Sequence, residues 1–167
     1  MAAPLTLVID GPSGAGKTWL AEYLASHWPR GREVAILHMD DLYHGWHGLA
    51  EATQFVDDDL CPKRRAGQTI RWQRWDWVRS QLAEWNELAG DVDLILEGCG
   101  SLTAGSAEMA HLSIWLEADD TRRKQWALDR GEAHYDEHWE IWETQFDAFV
   151  TRHRPHDHAT IRVRSTR

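Results

Sequence analysis

The chain has 167 residues, 43% hydrophobic and 27% charged, enough for one sizeable core and too few for two. Its 18 Lys and Arg against 27 Asp and Glu leave a formal net charge of −9, which argues against general binding to nucleic acid or an anionic membrane. Such a charge does not exclude a local phosphate site, which backbone amides can build inside an acidic protein. No apolar run approaches the roughly 20 residues of a membrane span, and Met1-Ala2-Ala3-Pro4 lacks the basic segment of a signal peptide. Two cysteines, Cys61 and Cys99, make neither a disulfide framework nor a metal-ligand spacing, so a cytoplasmic protein is expected. Eleven tryptophans are the one compositional oddity, and they can serve as core, as stacking faces for a ligand, or as both.

The first element is Leu5-Thr6-Leu7-Val8-Ile9, short, apolar and β-rich, which predicts a buried strand. After a turn-rich stretch from Asp10 to Gly16, the spacing of Leu20, Tyr23, Leu24 and His27 predicts a helix from Lys17, ended by Pro29 and Gly31. A second strand, Glu33 to His38, completes a βαβ unit and predicts parallel pairing with a right-handed crossover. From Met39 to about Arg74 periodicity disappears, and a long loop of functional use is expected. A helix is predicted near Asp76 to Leu88, where Val78, Leu82 and Trp85 would share a face. Strands follow at Val92 to Leu96 and about Leu112 to Leu116. Helices follow near Asp120 to Arg130 and Tyr135 to Val150, the second with Trp139, Trp142, Phe146 and Phe149 on one stripe. A short strand, Thr160 to Val163, ends the pattern. The expected fold is α/β: a three-layer sandwich, a five-stranded parallel sheet with helices on both faces, formed by residues 1–167 as a single domain.

Residues 11 to 18, Gly11-Pro12-Ser13-Gly14-Ala15-Gly16-Lys17-Thr18, complete a G-x-x-x-x-G-K-[ST] motif between a strand and a helix. The glycines let successive N–H groups converge on a β-phosphate, so Gly11, Ser13, Gly14, Ala15, Gly16, Lys17 and Thr18 are candidate nucleotide contacts. Lys17 can reach the β- and γ-phosphates, and the Thr18 hydroxyl is a candidate Mg²⁺ ligand. Binding of ATP or GTP with Mg²⁺ is expected, and the N-K-x-D element of a GTPase is absent. Glu97 ends the third strand of the parallel set, where a carboxylate can hold Mg²⁺ through water or orient an acceptor. Asp40 and Asp41 follow the second strand, at the edge where open α/β sheets bind ligands. A carboxylate there can take the proton of an attacking hydroxyl and help place the metal; Asp40 is the choice for that role and Asp41 the alternate.

These elements together with Asp40-Asp41-Leu42-Tyr43, Trp75-Asp76-Trp77 and Glu97-Gly98 make the sequence resemble the P-loop nucleoside kinases of the uridine kinase and phosphoribulokinase group, over nearly its whole length. The resemblance implies that Asp40 is the catalytic base, that Tyr43 and Asp76 contact the acceptor, and that Glu97 assists the metal. It also implies an Arg-rich lid over about 120–150, from Thr121-Arg122-Arg123 through Asp129-Arg130-Gly131, and an acceptor-binding region over about 40–77. Two departures stand out: Trp77-Val78 occupies the place of the family's usual His-Pro, and its nucleoside-binding hairpin has no counterpart legible in the sequence.

Arg123 and Arg130 are seven residues apart and share a helical face, which makes them the candidate lid cations that would stabilise charge on a transferring phosphoryl group. The run Arg71-Trp72-Gln73-Arg74-Trp75 alternates cations and indoles and could stack a planar ring, with Arg71 on its polar edge. Lys63-Arg64-Arg65 reads as a charged loop face or as a clamp for an acceptor phosphate, and His153, His156 and His158 as solvated. The expected activity is ATP- and Mg²⁺-dependent transfer of the γ-phosphate to a hydroxyl on a small, nucleoside-like molecule. A nucleoside monophosphate kinase and a non-catalytic ATP-binding protein are the alternatives. The expected partner is that small-molecule acceptor, with no nucleic acid and no membrane, in a monomer or a homodimer.

Overall fold

The computed structural model describes residues 3–129 and 135–164. The strands β1 (Thr6–Asp10), β2 (Val34–His38), β5 (Asp93–Glu97), β6 (Leu112–Glu117) and β7 (Ile161–Arg164) form one sheet in the order β2-β5-β1-β6-β7. Every pairing in it is parallel. The predicted strands are therefore all present, each within a residue or so of its expected ends. Their apolar runs are continuous because both faces of the sheet are covered.

Side chains alternate across the sheet as a strand requires. Leu7, Ile9, Ile95, Ile114 and Leu116 turn to the face covered by α1 (Lys17–Ser26) and pack with Ala15 and Ala21. Val8, Leu94, Leu96 and Trp115 turn to the opposite face, where Trp142, Phe146 and Phe149 of α6 (Tyr135–His153) cover them. The aromatic stripe read from the sequence is thus core, with Trp139, Trp142, Phe146 and Phe149 all buried.

Two stretches differ from their sequence reading. The expected loop after β2 contains a short 3₁₀ turn, Met39–Asp41, and then a helical run made of α2 (Leu49–Phe55), a widened turn (Val56–Leu60) and α3 (Cys61–Arg65). The widened turn precedes Pro62, whose ring lacks the N–H that a regular helical ladder needs. Glycines, Pro62 and the three consecutive acids obscured the helical period here. Arg64 is buried on α3 and donates to Thr6 Oγ1 and to the carbonyls of Leu5 and Val92 at 2.7–2.8 Å. It ties α3 to the sheet, so Arg64 is not part of a solvated face, whereas Lys63 and Arg65 on either side of it remain at the surface of a helix rather than a loop.

The second difference is larger. Residues 70–88 form an antiparallel hairpin of β3 (Ile70–Asp76) and β4 (Gln81–Leu88), with a bulge between Gln73 and Trp75. The predicted helix over Asp76 to Leu88 does not exist, and an antiparallel hairpin stands in its place. Val78, Leu82 and Trp85 fit a helical face by spacing, yet they are 94%, 45% and 65% exposed. The Asp76 carboxylate accepts from the backbone N–H groups of Val78 and Arg79, each at 3.0 Å, which folds the chain into a turn completed by Ser80 at φ 51°. A helix from α4 (Ala104–Met109), capped by Thr103, also has no sequence-level counterpart.

At the other end of the sheet, buried Asp93 accepts from Arg32 Nε at 2.6 Å, Trp28 Nε1 at 2.8 Å and the Leu5 N–H at 2.7 Å. The Arg32 guanidinium, foremost, pulls its carboxyl down to about 2 from the ordinary 3.8. A lowered native value means that the stabilisation is full above the ordinary pKa and is lost as pH falls toward 2. Asp93→Asn is expected to lower stability at pH 7 and to flatten the acid limb between about pH 4 and 2, read from urea midpoints across that range.

Candidate active site

Three segments leave the same edge of the sheet: the loop from β1 into α1, the 3₁₀ turn after β2, and the loop after β5. Carboxyl ends of parallel strands are where this architecture places ligands. In the first loop Gly14, at φ 79°, packs so tightly that a Cβ there would sit 2.0 Å from the Arg123 carbonyl oxygen. Gly16, at φ 95°, precedes α1 with no side-chain cap, and a Cβ there would meet nothing within 4 Å. The start of α1 is therefore an uncapped helix N-terminus facing open space, which suits an anion such as a phosphate.

Lys17 is buried beneath this loop, with Nζ 2.9 Å from the Pro12 carbonyl oxygen and 3.5 Å from Cys99 Sγ. The Thr18 hydroxyl donates to Glu97 Oε1 at 3.2 Å, and His38 Nδ1 lies 2.5 Å from the same oxygen. Hydrogen bonding to Glu97 is the foremost cause that raises the His38 pKa, against the opposing effect of its burial. No cluster of three or more acidic, His or Cys side chains forms a metal cage among the described residues. The hydroxyl and carboxylate of Thr18 and Glu97 nevertheless fit Mg²⁺, which commonly takes few protein ligands and fills its shell with phosphate oxygens and water.

Lys17, Thr18, Glu97 and Cys99, though not His38, line a cavity of about 660 Å³. Asp40, exposed on its 3₁₀ turn, lines the same cavity, whereas half-buried Asp41 is not among its lining residues. Tyr43 lines it as well, but its ring is fully buried and its hydroxyl donates to the Cys99 carbonyl at 2.6 Å. Tyr43 thus forms wall rather than offering a free hydroxyl. The rest of the wall is aromatic: Trp46, Trp75, Trp77 and Trp142, with His138. Trp77 Nε1 donates to the Asp40 carbonyl at 3.0 Å, fastening the hairpin to the turn that bears the carboxylate.

Other sequence candidates lie elsewhere. Asp76 spends its carboxylate on the hairpin turn and on Arg79, whose backbone N–H is the main cause of its lowered pKa. Arg71 is exposed on the hairpin and pairs with Glu87 at 3.4 Å. Arg123 bridges α5 (Asp120–Asp129) to α6 through Glu143, with Nη1 3.0 Å from Oε1, and also holds Asp120 at 2.8 Å. Its guanidinium is committed between helices while its backbone rests against Gly14. Arg130 lies outside the described residues.

Asp10, His38, Cys99, Trp46, Trp142 and His138 reach the site without having been singled out in the sequence. Only Asp10 carried a signal: an acid closing an otherwise apolar strand. Its buried carboxylate accepts from the N–H groups of Gly11 at 2.6 Å, Gly100 at 3.2 Å and Leu102 at 2.8 Å.

No protein-family model matches the sequence, and no curated protein matches it. Solved structures do. A possible uridine kinase from Bacillus stearothermophilus is 20% identical, with a TM-score of 0.67 over 98% of this chain and 90% of that one. A proposed fructose transport system kinase from a Silicibacter species is 16% identical, with a TM-score of 0.63 over 97% of this chain and 90% of that one. The fold is that of the uridine kinase-like P-loop proteins. The resemblance carried by the motifs and the arrangement of the sheet agree at this level.

In this P-loop fold Asp10 links the nucleotide loop to the loop after β5. Burial pushes its carboxyl up to about 7, against the pull of its three N–H donors and of Lys17. With a raised native value the folded state keeps a proton that the unfolded chain gives up, so this contribution to stability falls as pH rises from about 4 to 7. Asp10→Asn is expected to remove that slope, measured as unfolding free energy against pH; an unchanged slope would place the titration elsewhere.

Proposed function

We propose that the chain is a phosphotransferase that moves the γ-phosphoryl group of ATP, with Mg²⁺, to a hydroxyl of a small, unphosphorylated molecule. The observation that supports it best is one cavity holding both halves of that chemistry. Lys17, Thr18 and Glu97 line it together with the exposed Asp40 and the aromatic side chains.

In this reading the N–H groups around Gly16 and the start of α1 hold the phosphates, and Lys17 spreads its charge over the leaving and transferring groups. Thr18 and Glu97 would hold Mg²⁺, which neutralises phosphate charge when bound. The acceptor oxygen forms a bond to Pγ, its proton passes to the Asp40 carboxylate, and the bond from Pγ to the bridging oxygen breaks, with the electron pair leaving on ADP. Residues 1–167 would work as one domain, with about 120–150 as the lid. Arg123 could contribute to transfer only by exchanging Glu143 for a phosphate oxygen.

A nucleoside monophosphate acceptor would need cations at its own end of the cavity, because phosphate recognition rests on Arg or Lys. The cations that kept that alternative open are engaged elsewhere. Arg64 is bound into the sheet, Lys63 holds Asp59 at 2.8 Å, Arg65 lies 3.8 Å from Glu108, and Arg71 pairs with Glu87. A nucleoside-like compound belongs to the class of acceptors this leaves.

Lys17→Ala is expected to remove nearly all ADP release in a coupled assay across hydroxyl acceptors while leaving the thermal midpoint close to wild type; undiminished turnover would refute phosphoryl transfer. Asp40→Asn keeps size but cannot take a proton, so single-turnover transfer should fall about 10²- to 10⁴-fold with little change in ATP binding. Transfer lost in Asp41→Asn and kept in Asp40→Asn would assign the base to the neighbour.

A further inference from the structure

The strands β2 and β5 end side by side. His38 closes β2 and Glu97 closes β5, and the two are partners in the parallel register. Side chains of register partners leave the same face of a sheet, so the imidazole and the carboxylate stand next to each other at its carboxyl edge. His38 Nδ1 lies 2.5 Å from Glu97 Oε1, and the Thr18 hydroxyl donates to that same oxygen at 3.2 Å. A carboxylate oxygen only accepts, so the imidazole meets it through Nδ1–H.

Two features distinguish this pair from a buried acid that merely finds a partner. Both donors converge on Oε1 and neither takes Oε2, so the carboxylate is held by one oxygen and the other is left to a further group. Glu97 lines the cavity together with Lys17 and Thr18, whereas His38 is not among the lining residues. His38 therefore reaches a bound ion only through Glu97. The last torsion of a glutamate is soft, and the 3.2 Å bond from Thr18 alone would leave the carboxylate plane free to turn. The shorter bond, which comes from a separate strand, fixes that plane.

Resting on the phosphotransferase reading above, we propose that His38 is a positioning residue that orients the Glu97 carboxylate toward the Mg²⁺ accompanying the nucleotide. Groups that hydrogen-bond a metal-binding side chain set its orientation and tune the site, although they never touch the ion. The opposite arrangement, with His38 keeping the carboxylate from a cation, would require it to cover the oxygen a cation could use. Its one bond to Glu97 covers Oε1 and leaves Oε2 uncovered. His38 also precedes Asp40 by two residues, so the end of β2 serves the candidate metal carboxylate and the candidate base together.

Calorimetric titration of the full-length chain with ADP, once with Mg²⁺ and once with EDTA, tests this without an acceptor. Wild type is expected to bind ADP more tightly with Mg²⁺. His38→Leu keeps bulk on β2 but deletes the donor. It should weaken Mg²⁺·ADP binding about tenfold, the lower end of what losing such an outer partner costs a metal site, and leave binding in EDTA little changed. His38→Asn returns an N–H near the place of Nδ1 and should recover most of the loss. Thermal midpoints report folding, and His38→Ala replaces His38→Leu if the leucine variant does not fold. Equal losses with and without Mg²⁺ in a folded variant would make His38 a structural partner only and overturn the proposal. Undiminished or tighter Mg²⁺·ADP binding, or an Asn variant no better than the Leu one, overturns it too. If wild type itself shows no Mg²⁺ preference, the metal role of Thr18 and Glu97 fails and this proposal falls with it. Transfer is not read here, so a failure of the Lys17→Ala prediction is a separate result.

Discussion

The site depends on a single buried carboxyl. β1 and β5 are hydrogen-bonded neighbours, but their ladder ends at Ile9 and Glu97, before the loops that leave them. Asp10, the last residue of β1, supplies the missing link by accepting N–H groups from Gly11 on one side and from Gly100 and Leu102 on the other. Cys99 lies between them and donates to the Gly11 carbonyl at 3.3 Å. Three amides converging on one buried acid fix the distance between the phosphate loop and Glu97, and so the contact between Thr18 and Glu97. Without that acid, buried N–H groups would be left unpaired, each costing about 1–3 kcal/mol. The same burial makes the carboxyl hard to ionise, which is why a structural link also carries a pH dependence.

Much of this was legible in the sequence, for reasons that separate what succeeded from what failed. A strand buried on both faces writes itself as an unbroken apolar run, and Leu5 to Ile9, Val34 to Leu37, Val92 to Leu96 and Leu112 to Leu116 did so. The phosphate loop is equally plain, because its glycines, Lys17 and Thr18 act through local backbone geometry. What failed was non-local. Val78, Leu82 and Trp85 satisfy a helical spacing, but nothing in the sequence shows that no surface waits to bury them. Exposed apolar side chains on a hairpin defeat an argument that equates periodicity with burial. The turn itself was visible in principle, since Asp76 followed by Val78 and Arg79 has the pattern of a side chain closing its own turn. Trp46 and Trp142, nearly a hundred residues apart, meet only through the fold.

Charge is distributed with the same logic. An excess of nine acids over bases sets the overall charge, yet the described cations are mostly absorbed by specific partners rather than scattered. Arg32 serves Asp93, Arg64 serves backbone carbonyls, Arg74 serves Glu84, and Arg123 serves Glu143 and Asp120. Lys17 stands apart. It is buried and held by a carbonyl and a thiol rather than by a carboxylate salt bridge, although its charge acts on the nearby Asp10 carboxyl. A cation kept in this way would draw an anion to its part of the cavity, while among the described residues lining the rest the one carboxylate besides Glu97 is Asp40.

That asymmetry is joined mechanically as well as electrically. The hairpin supplies Trp75 and Trp77 to the cavity wall, and the indole N–H of Trp77 is bonded to the backbone of Asp40. Trp46 follows Asp40 by six residues and stacks on His138 at 4.7 Å, so α6 is tied to the same wall. Gln145 of α6 reinforces this by donating to the Trp46 carbonyl at 2.6 Å. The candidate base therefore rides on a segment clamped between the hairpin and α6, the two elements that supply much of the cavity's aromatic lining. A ligand that settles against the tryptophans presses on the elements that position Asp40, and a displacement of the hairpin reaches its carboxylate through one hydrogen bond. Rate enhancement by positioning requires the acceptor and the base to be held in one frame. On the phosphotransferase reading, the hairpin that the sequence pattern concealed would be part of that frame.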